Sequence, residues 1–246
     1  MHRRVRHLNP ANCGAVVALD GRFGVSGSPV STWTGRTGTS INATGAGAVR
    51  PTTSTINGVP ALLFDGVDDV LTLSSLTSYN NKSYGRLLVV VVDNNTASGG
   101  AQHPVVAWSI TGSAGAGSRI RLDTKNTSAG AVSFGRRLDA DATSTTAVVG
   151  TVTSAFVGEV VADWGGNALK AGNNGSYSAS VTYASGAGST TAGDSVYANV
   201  GGFLAGGGAY TNATVGAVVA WNATAAEALF RRVRHALGFT FRIKTA

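Results

Sequence analysis

The sequence predicts an all-β sandwich of two antiparallel sheets with one short helix near its C-terminal end. Three observations carry that prediction. Short apolar, β-branched segments recur between clusters of Gly, Ser, Asn and Thr. Glycine accounts for 34 of 246 residues, about twice its usual ~7%. Charged residues make up only 13% of the chain, against an ordinary share of ~25%. Charge and helix formers are therefore too sparse for a coiled coil. The 43% apolar content supports a real core, which sets the chain apart from disordered sequences. No apolar run reaches the ~18–20 residues of a membrane span. The length suits one large all-β domain or two small ones; with no domain linker in the sequence, the expected organisation is a basic N-terminal arm over 1–10 and a single sandwich domain over 11–246.

In chain order, the clearest strand segments are Ala15–Leu19, Ala61–Phe64, Leu87–Val92, Val105–Ile110, Ile120–Leu122, Phe156–Val161, Val181–Tyr183, Val196–Gly202 and Thr214–Trp221. Leu87–Val92 is apolar throughout, which predicts a central strand buried on both faces. Asn57-Gly58 and Asn174-Gly175 are hairpin-turn dipeptides, because both residue types tolerate positive φ. The Gly-rich stretches at 112–117 and 205–208 read as loops. The helix is predicted over about 224–237. Thr224 and Glu227 form a capping box, and Leu229, Val233 and Leu237 form an apolar stripe beside Phe230. Arg231, Arg232, Arg234 and His235 take the remaining positions, and Gly238 supplies a C′ stop. Phe239, Phe241 and Ile243 then alternate as in a final strand.

Three stretches together resemble the concanavalin A-like lectin/glucanase superfamily in its laminin-G-like branch. NGVPALLFDGVDDVLTL (Asn57–Leu73) resembles that family's hairpin, in which a strand ends in Phe-Asp-Gly, turns through Asp-Asp and returns. VYANVGGFLAGGGAYTNATVGAVVAWN (Val196–Asn222) is similar to its glycine-marked strand, loop and outer strand. The capped helix resembles the element that closes these domains. Upstream, AVVALDGRFGVSGSPVSTWTGRTG resembles the opening strand and Trp-containing turn. The resemblance implies a concanavalin A-like jelly-roll β-sandwich, but the fold hosts lectins, hydrolases and structural modules alike. The family's Trp turn often carries an Asp two residues after the Trp. Gly35 stands there in this chain, so no calcium or turn role carries over to that position.

The formal charge of +7 invites a nucleic-acid reading until it is partitioned. Residues 1–10 hold Arg3, Arg4 and Arg6 and no acid, giving +3. Residues 223–246 hold five bases against Glu227, giving +4, which leaves 11 bases and 11 acids in between. The string RRVRH occurs in both basic ends, at Arg3–His7 and Arg231–His235. Two basic ends on a neutral sandwich read either as solvated tails or as a surface that docks on an acidic partner through Arg3, Arg4, Arg6, Arg231, Arg232 and Arg234, both ahead of nucleic-acid recognition. The first and last strands of this fold commonly lie close together, so the two ends are expected to form one patch.

Catalytic chemistry is poorly supported. The resemblance brings in the retaining β-glucanases, whose mechanism needs two carboxyls ~5–5.5 Å apart. The chain has only two glutamates. Glu227 is assigned to the helix cap, and Glu159 has no partner Glu nearby in sequence. Asp163 shares a strand face with Glu159 but at ~13 Å. No metal-binding His pair, GxSxG elbow or phosphate-binding loop occurs. Cys13 is the only cysteine, so no intrachain disulfide forms, and it reads as a small buried residue. Asp65, Asp68 and Asp69 are the one dense acidic cluster. The residues favour capping of turn amides over calcium, which wants ~6–8 oxygens; no cofactor is expected. For glycan stacking, Trp164 in DWGGN is the best exposed aromatic, with Tyr79, Tyr84 and Tyr210 as further loop aromatics, whereas Trp108 and Trp221 read as core.

The expected function is that of a non-catalytic structural or adhesive module. A laminin-G-like domain with no leader, disulfide or catalytic pair resembles phage virion proteins (head decoration, fibre or minor tail component), which is the leading expectation; assembly in the host cytoplasm is expected because Asp20 ends the N-terminal apolar run before it reaches signal-peptide length. Its partners would be other virion proteins or copies of itself. A carbohydrate-binding lectin-like module that recognises a cell-surface glycan is the alternative, and a glycoside hydrolase ranks last.

Overall fold

The computed structural model describes residues 13–37, 41–74, 82–94, 103–109, 119–124, 131–136, 145–150, 154–188, 197–202, 209–224 and 227–246. Two antiparallel sheets and one helix make up its regular structure. The first sheet contains β1 (Val17–Asp20), β5 (Thr52–Ile56), β6 (Val59–Asp65), β8 (Tyr84–Asp93), β13 (Phe156–Asp163), β14 (Ala168–Asn173), β15 (Ser176–Tyr177) and β17 (Asn212–Trp221). Its order is β15-β14-β13-β8-β17-β6-β5, with β1 also paired to β17. The second sheet contains β2 (Val25–Ser26), β3 (Thr32–Trp33), β4 (Ala43–Thr44), β7 (Leu71–Leu73), β9 (Pro104–Ser109), β10 (Arg119–Asp123), β11 (Ala131–Arg136), β12 (Thr145–Val149) and β16 (Tyr197–Val200). Its order is β12-β11-β10-β9-β16-β7-β4-β3-β2. This is the expected all-β sandwich.

The alternation of side chains along a strand decides what fills each layer. On β8, Leu87, Val89 and Val91 point into the main core between the sheets, while Leu88 and Val90 point to the other side. They meet α1 (Glu227–Phe241), whose Phe230, Val233, Leu237 and Phe241 are buried there. The continuously apolar Leu87–Val92 thus lies between a sheet and a helix, in a three-layer arrangement. On β17 the register shifts between Val215 and Ala217, and the ring of Phe241 rests against Gly216, where a Cβ would lie 2.5 Å from it. Both predicted hairpin turns are present. Asn57 and Gly58 have φ of 50° and 79° between β5 and β6, and Asn174 and Gly175 have 51° and 95° between β14 and β15.

The C-terminal end of the helix differs from expectation. Helix α1 continues through Gly238 to Phe241 instead of stopping at 237, so the expected final strand over Phe239, Phe241 and Ile243 is absent. Arg242, at φ 55°, takes the left-handed C′ position. The amide of Ile243 donates to the Gly238 carbonyl at 2.7 Å and that of Arg242 to Phe239 at 3.4 Å, the paired bonds of a Schellman motif. Gly238 has a different role, because the returning chain at Ile243 and Thr245 would sit 2.7–2.8 Å from a Cβ there. Val181–Tyr183 is likewise not a strand and contributes one isolated bridge, Leu169 to Val181. The predicted loops at 112–117 and 205–208 lie outside the described residues.

Candidate functional site

Beneath α1 lies a buried ionic cluster that no local motif announces. Glu159, on the face of β13 turned toward the helix, is 0% exposed. Its Oε2 accepts from Arg86 of β8 at 3.3 Å and from the Tyr177 hydroxyl at 2.5 Å, and its Oε1 accepts from Arg234 of α1 at 3.2 Å. Arg86 also donates to Tyr177 and, at 2.8 Å, to Glu227. The Arg86 guanidinium lies 3.6 Å from the centre of the Phe230 ring. Gly172, opposite Glu159 on β14, leaves the room that the Tyr177 ring occupies. Burial draws the Arg86 pKa down, but the hydrogen bond to Glu227 and the neighbouring Tyr177, Tyr84 and Glu159 outweigh it and hold the group above its ordinary range. Burial raises the Tyr177 phenol, and the Glu159 charge adds to that shift, so the hydroxyl keeps the proton it donates.

This cluster corrects two expectations. Arg234 is not a docking residue; it is buried against Glu159 and the carbonyl of Ala246. Glu227 does not complete a capping box, since its carboxylate turns to Arg86 and Arg231. The same guanidinium, Arg86, holds both glutamates. With both oxygens of Glu159 occupied under a helix, a sugar cannot reach it, and the arrangement serves to dock α1.

The aromatic expectations change as well. Trp164 is 0% exposed and belongs to the main core, so it is no stacking platform. Asp163 Oδ1 accepts from the Gly166 amide at 2.7 Å, capping the turn that sends the indole inward. Trp33, Trp108 and Trp221 are buried too, as predicted for the last two. Tyr84 and Tyr210 are half-buried and sit beside different sheets, with Tyr84 opposite Asp163 and Tyr210 bridged to Gly202. Tyr79 lies outside the described residues.

The acidic hairpin between β6 and β7 is built as a capped turn. Asp65 Oδ1 accepts from the amides of Val67 (2.8 Å) and Asp68 (3.4 Å), and Asp69 Oδ2 accepts from the Asp65 amide at 2.9 Å. Burial raises the Asp69 carboxyl. The three carboxylates lie within 4.8 Å of one another. Each observed bond belongs to the turn itself. At Gly35, a side chain would run into the carbonyl of Ile41, which accounts for glycine after the Trp turn.

Two exposed surfaces remain. The outer face of α1 presents Arg231, Arg232, His235, Phe239 and, just past its end, Arg242 and Lys244. Arg3, Arg4 and Arg6 lie outside the described residues, so their expected meeting with this face has no structural counterpart here. Cys13, just beyond the arm, is buried as expected, and burial pushes its thiol up. The other surface escaped the sequence reading. Arg22 grips Asp20 with two donors, Nε at 2.9 Å and a terminal nitrogen at 2.6 Å. Arg36 approaches the same carboxylate at 3.7 Å and makes no side-chain hydrogen bond among the described residues. Both guanidiniums lie against Phe23, 5.0 and 4.1 Å from the ring centre, and Phe23 is 44% exposed. Two cations over one carboxylate leave a surplus positive charge and open donors on Arg36. The residues come together because the β2–β3 hairpin returns the chain to the end of β1, and no spacing in the sequence signals it.

No protein-family model matches the chain, and no curated protein matches it in sequence. Solved structures do share the fold, which is that of lectin-like β-sandwiches. The receptor binding domain of botulinum neurotoxin D superposes with a TM-score of 0.65 at 10% identity, over 92% of this chain and 54% of that one. The botulinum neurotoxin serotype D ligand binding domain in complex with N-acetylneuraminic acid gives 0.63 at 9% identity, over 92% and 51%. Trypanosoma rangeli sialidase gives 0.60 at 15% identity, over 92% of this chain and 33% of that chain. The chain thus spans about a third of the sialidase and half of the toxin domains, and the likeness is one of fold.

Proposed function

We propose that this chain is a non-catalytic, lectin-like module of the laminin-G-like kind that binds an acidic sugar at Arg22, Phe23 and Arg36. The observation that carries the reading is Arg36. It is an arginine placed 4.1 Å over the centre of a half-exposed ring, with no side-chain hydrogen bond among the described residues and a surplus positive charge around it. A planar guanidinium matches a carboxylate with two parallel bonds, and the ring edge offers an apolar surface to a pyranose. Two structures of similar fold carry sialic acid, one as the toxin ligand binding domain and one as T. rangeli sialidase. The non-catalytic part of the reading is supported by the pairing of Glu159 and Glu227 with arginines. Titration calorimetry with sialyllactose and with lactose tests the proposal. Binding of the first alone is expected, with at least a tenfold loss in Arg36→Gln and in Phe23→Ala. Equal binding of both sugars, or none, counts against it.

A second reading, docking on a larger assembly such as a phage virion, draws support from the exposed cations of α1. It predicts co-purification with particles in stoichiometric, symmetric amounts, and absence from particles would sink it.

A further inference from the structure

Two of the most exposed apolar side chains sit in charged surroundings of opposite sign. Phe239, 70% exposed, stands on the outer face of α1, one helical turn from His235 and two turns from Arg232, with Arg242 just past the end of the helix. Among the described residues neither Arg232 nor Arg242 is paired with an acid. Val67, 69% exposed, caps the β6–β7 hairpin beside Asp65, Asp68 and Asp69. None of these aspartates is paired with a cation among the described residues.

One copy of the chain does not bring these surfaces together. The Phe241 carbonyl accepts from the Asn57 side chain at 2.8 Å, which fixes this end of α1 beside the β5–β6 turn. Strand β6 then runs from Val59 to Asp65, about 20 Å at ~3.3 Å per residue, and carries the acidic tip to the far end of the sheet. Both surfaces are rigid, the helix through the ionic cluster beneath it and the hairpin through its capped turn.

We infer that the two surfaces are halves of one contact between copies of this chain: Val67 and its aspartates seat against Phe239, Arg232 and Arg242 of the next copy. An apolar centre within a charged, complementary rim is the anatomy of a specific interface, and the charges set its orientation. The contact is heterologous. Each copy offers its hairpin to one neighbour and its helix to another, which gives a ring if the rotation closes and a filament if it does not. The inference is independent of the sugar proposal, since Arg36 and Phe23 take no part.

Sedimentation velocity on the full chain tests it. The wild type is expected to associate as its concentration rises through the micromolar range, and to dissociate with added salt. Val67→Lys, Phe239→Asp, Asp68→Arg and Arg232→Glu should each weaken association at least tenfold while circular dichroism stays unchanged. The double variant Asp68→Arg/Arg232→Glu, with complementarity reversed, should recover it. A wild type that stays monomeric, an association that survives Phe239→Asp or Val67→Lys, or a double variant as weak as its parents overturns the inference.

Discussion

Glu159 decides more of this molecule than any other single side chain. Its carboxylate is the only anion buried among Arg86, Arg234 and Tyr177, and α1 is held down by that contact. Removing one member of a buried ion pair leaves its partners charged and undersolvated, at a cost of roughly 3–5 kcal/mol. Glu159→Gln is therefore expected to lose stability on that scale, read as a lower urea midpoint with an unchanged slope. None of this was legible from the sequence, because the partners lie 73 and 75 residues away along the chain. A lone glutamate in VGEVVAD announces an oddity in a strand and nothing about its solution. Trp164 was misread for a related reason. DWGGN looks like an exposed loop by composition, but bonds from the Gly166 amide to Asp163, the Gly165 amide to Ser83 and the Gly188 amide to the Trp164 carbonyl hold the turn with its indole in the core. The site at Phe23 went unseen because Arg22 and Arg36 meet only after a hairpin has folded between them.

At the scale of the element, α1 shows how far a periodic pattern carries. Leu229, Val233 and Leu237 mark the buried stripe correctly, but Phe241 continues it and was taken for part of a strand. The alternation of Phe239, Phe241 and Ile243 fits a strand, but Phe241 also falls four residues after Leu237 on the buried stripe, and the close return of Ile243 and Thr245 over Gly238 accompanies the helix. The N-terminal end of α1 carries a pH dependence. Burial pulls the Glu227 carboxyl upward, but its hydrogen bond to Arg86 and the charges of Arg86, Arg231 and Arg234 outweigh that and hold it below its ordinary value. A carboxyl lowered on folding stabilises the native state above its unfolded pKa of ~4.3, and that contribution is lost as pH falls through the folded value. Stability measured against pH is therefore expected to fall on acidification below about pH 4.3, less steeply in Glu227→Gln. An unchanged acid limb in that variant would show that Glu227 contributes nothing there. Because Glu227 is half exposed, the effect is small.

For the whole molecule, the sandwich was legible because its long strands are apolar and its turns carry residues suited to positive φ. The short strands β2, β3 and β4 were not, since two-residue pairings leave no period to detect. The third layer was foreshadowed by Leu87–Val92, a run too apolar for a sheet wetted on one face. Among the described residues, two outward surfaces carry the binding proposals, one cationic around a ring and one divided between hairpin and helix. One consequence of the strand order concerns synthesis. β17, the penultimate element of the chain, pairs with β1, β6 and β8 at the centre of its sheet. While the ribosome is still short of residue 212, that sheet lacks its middle: β6 and β8 have no strand to join them and β1 has no partner at all. Contacts between residues as distant as Val17 and Ala220 make closure slow. The nascent chain therefore leaves the edge of its apolar strand β8 uncovered until residues 212–221 have emerged, an interval in which aggregation competes with folding.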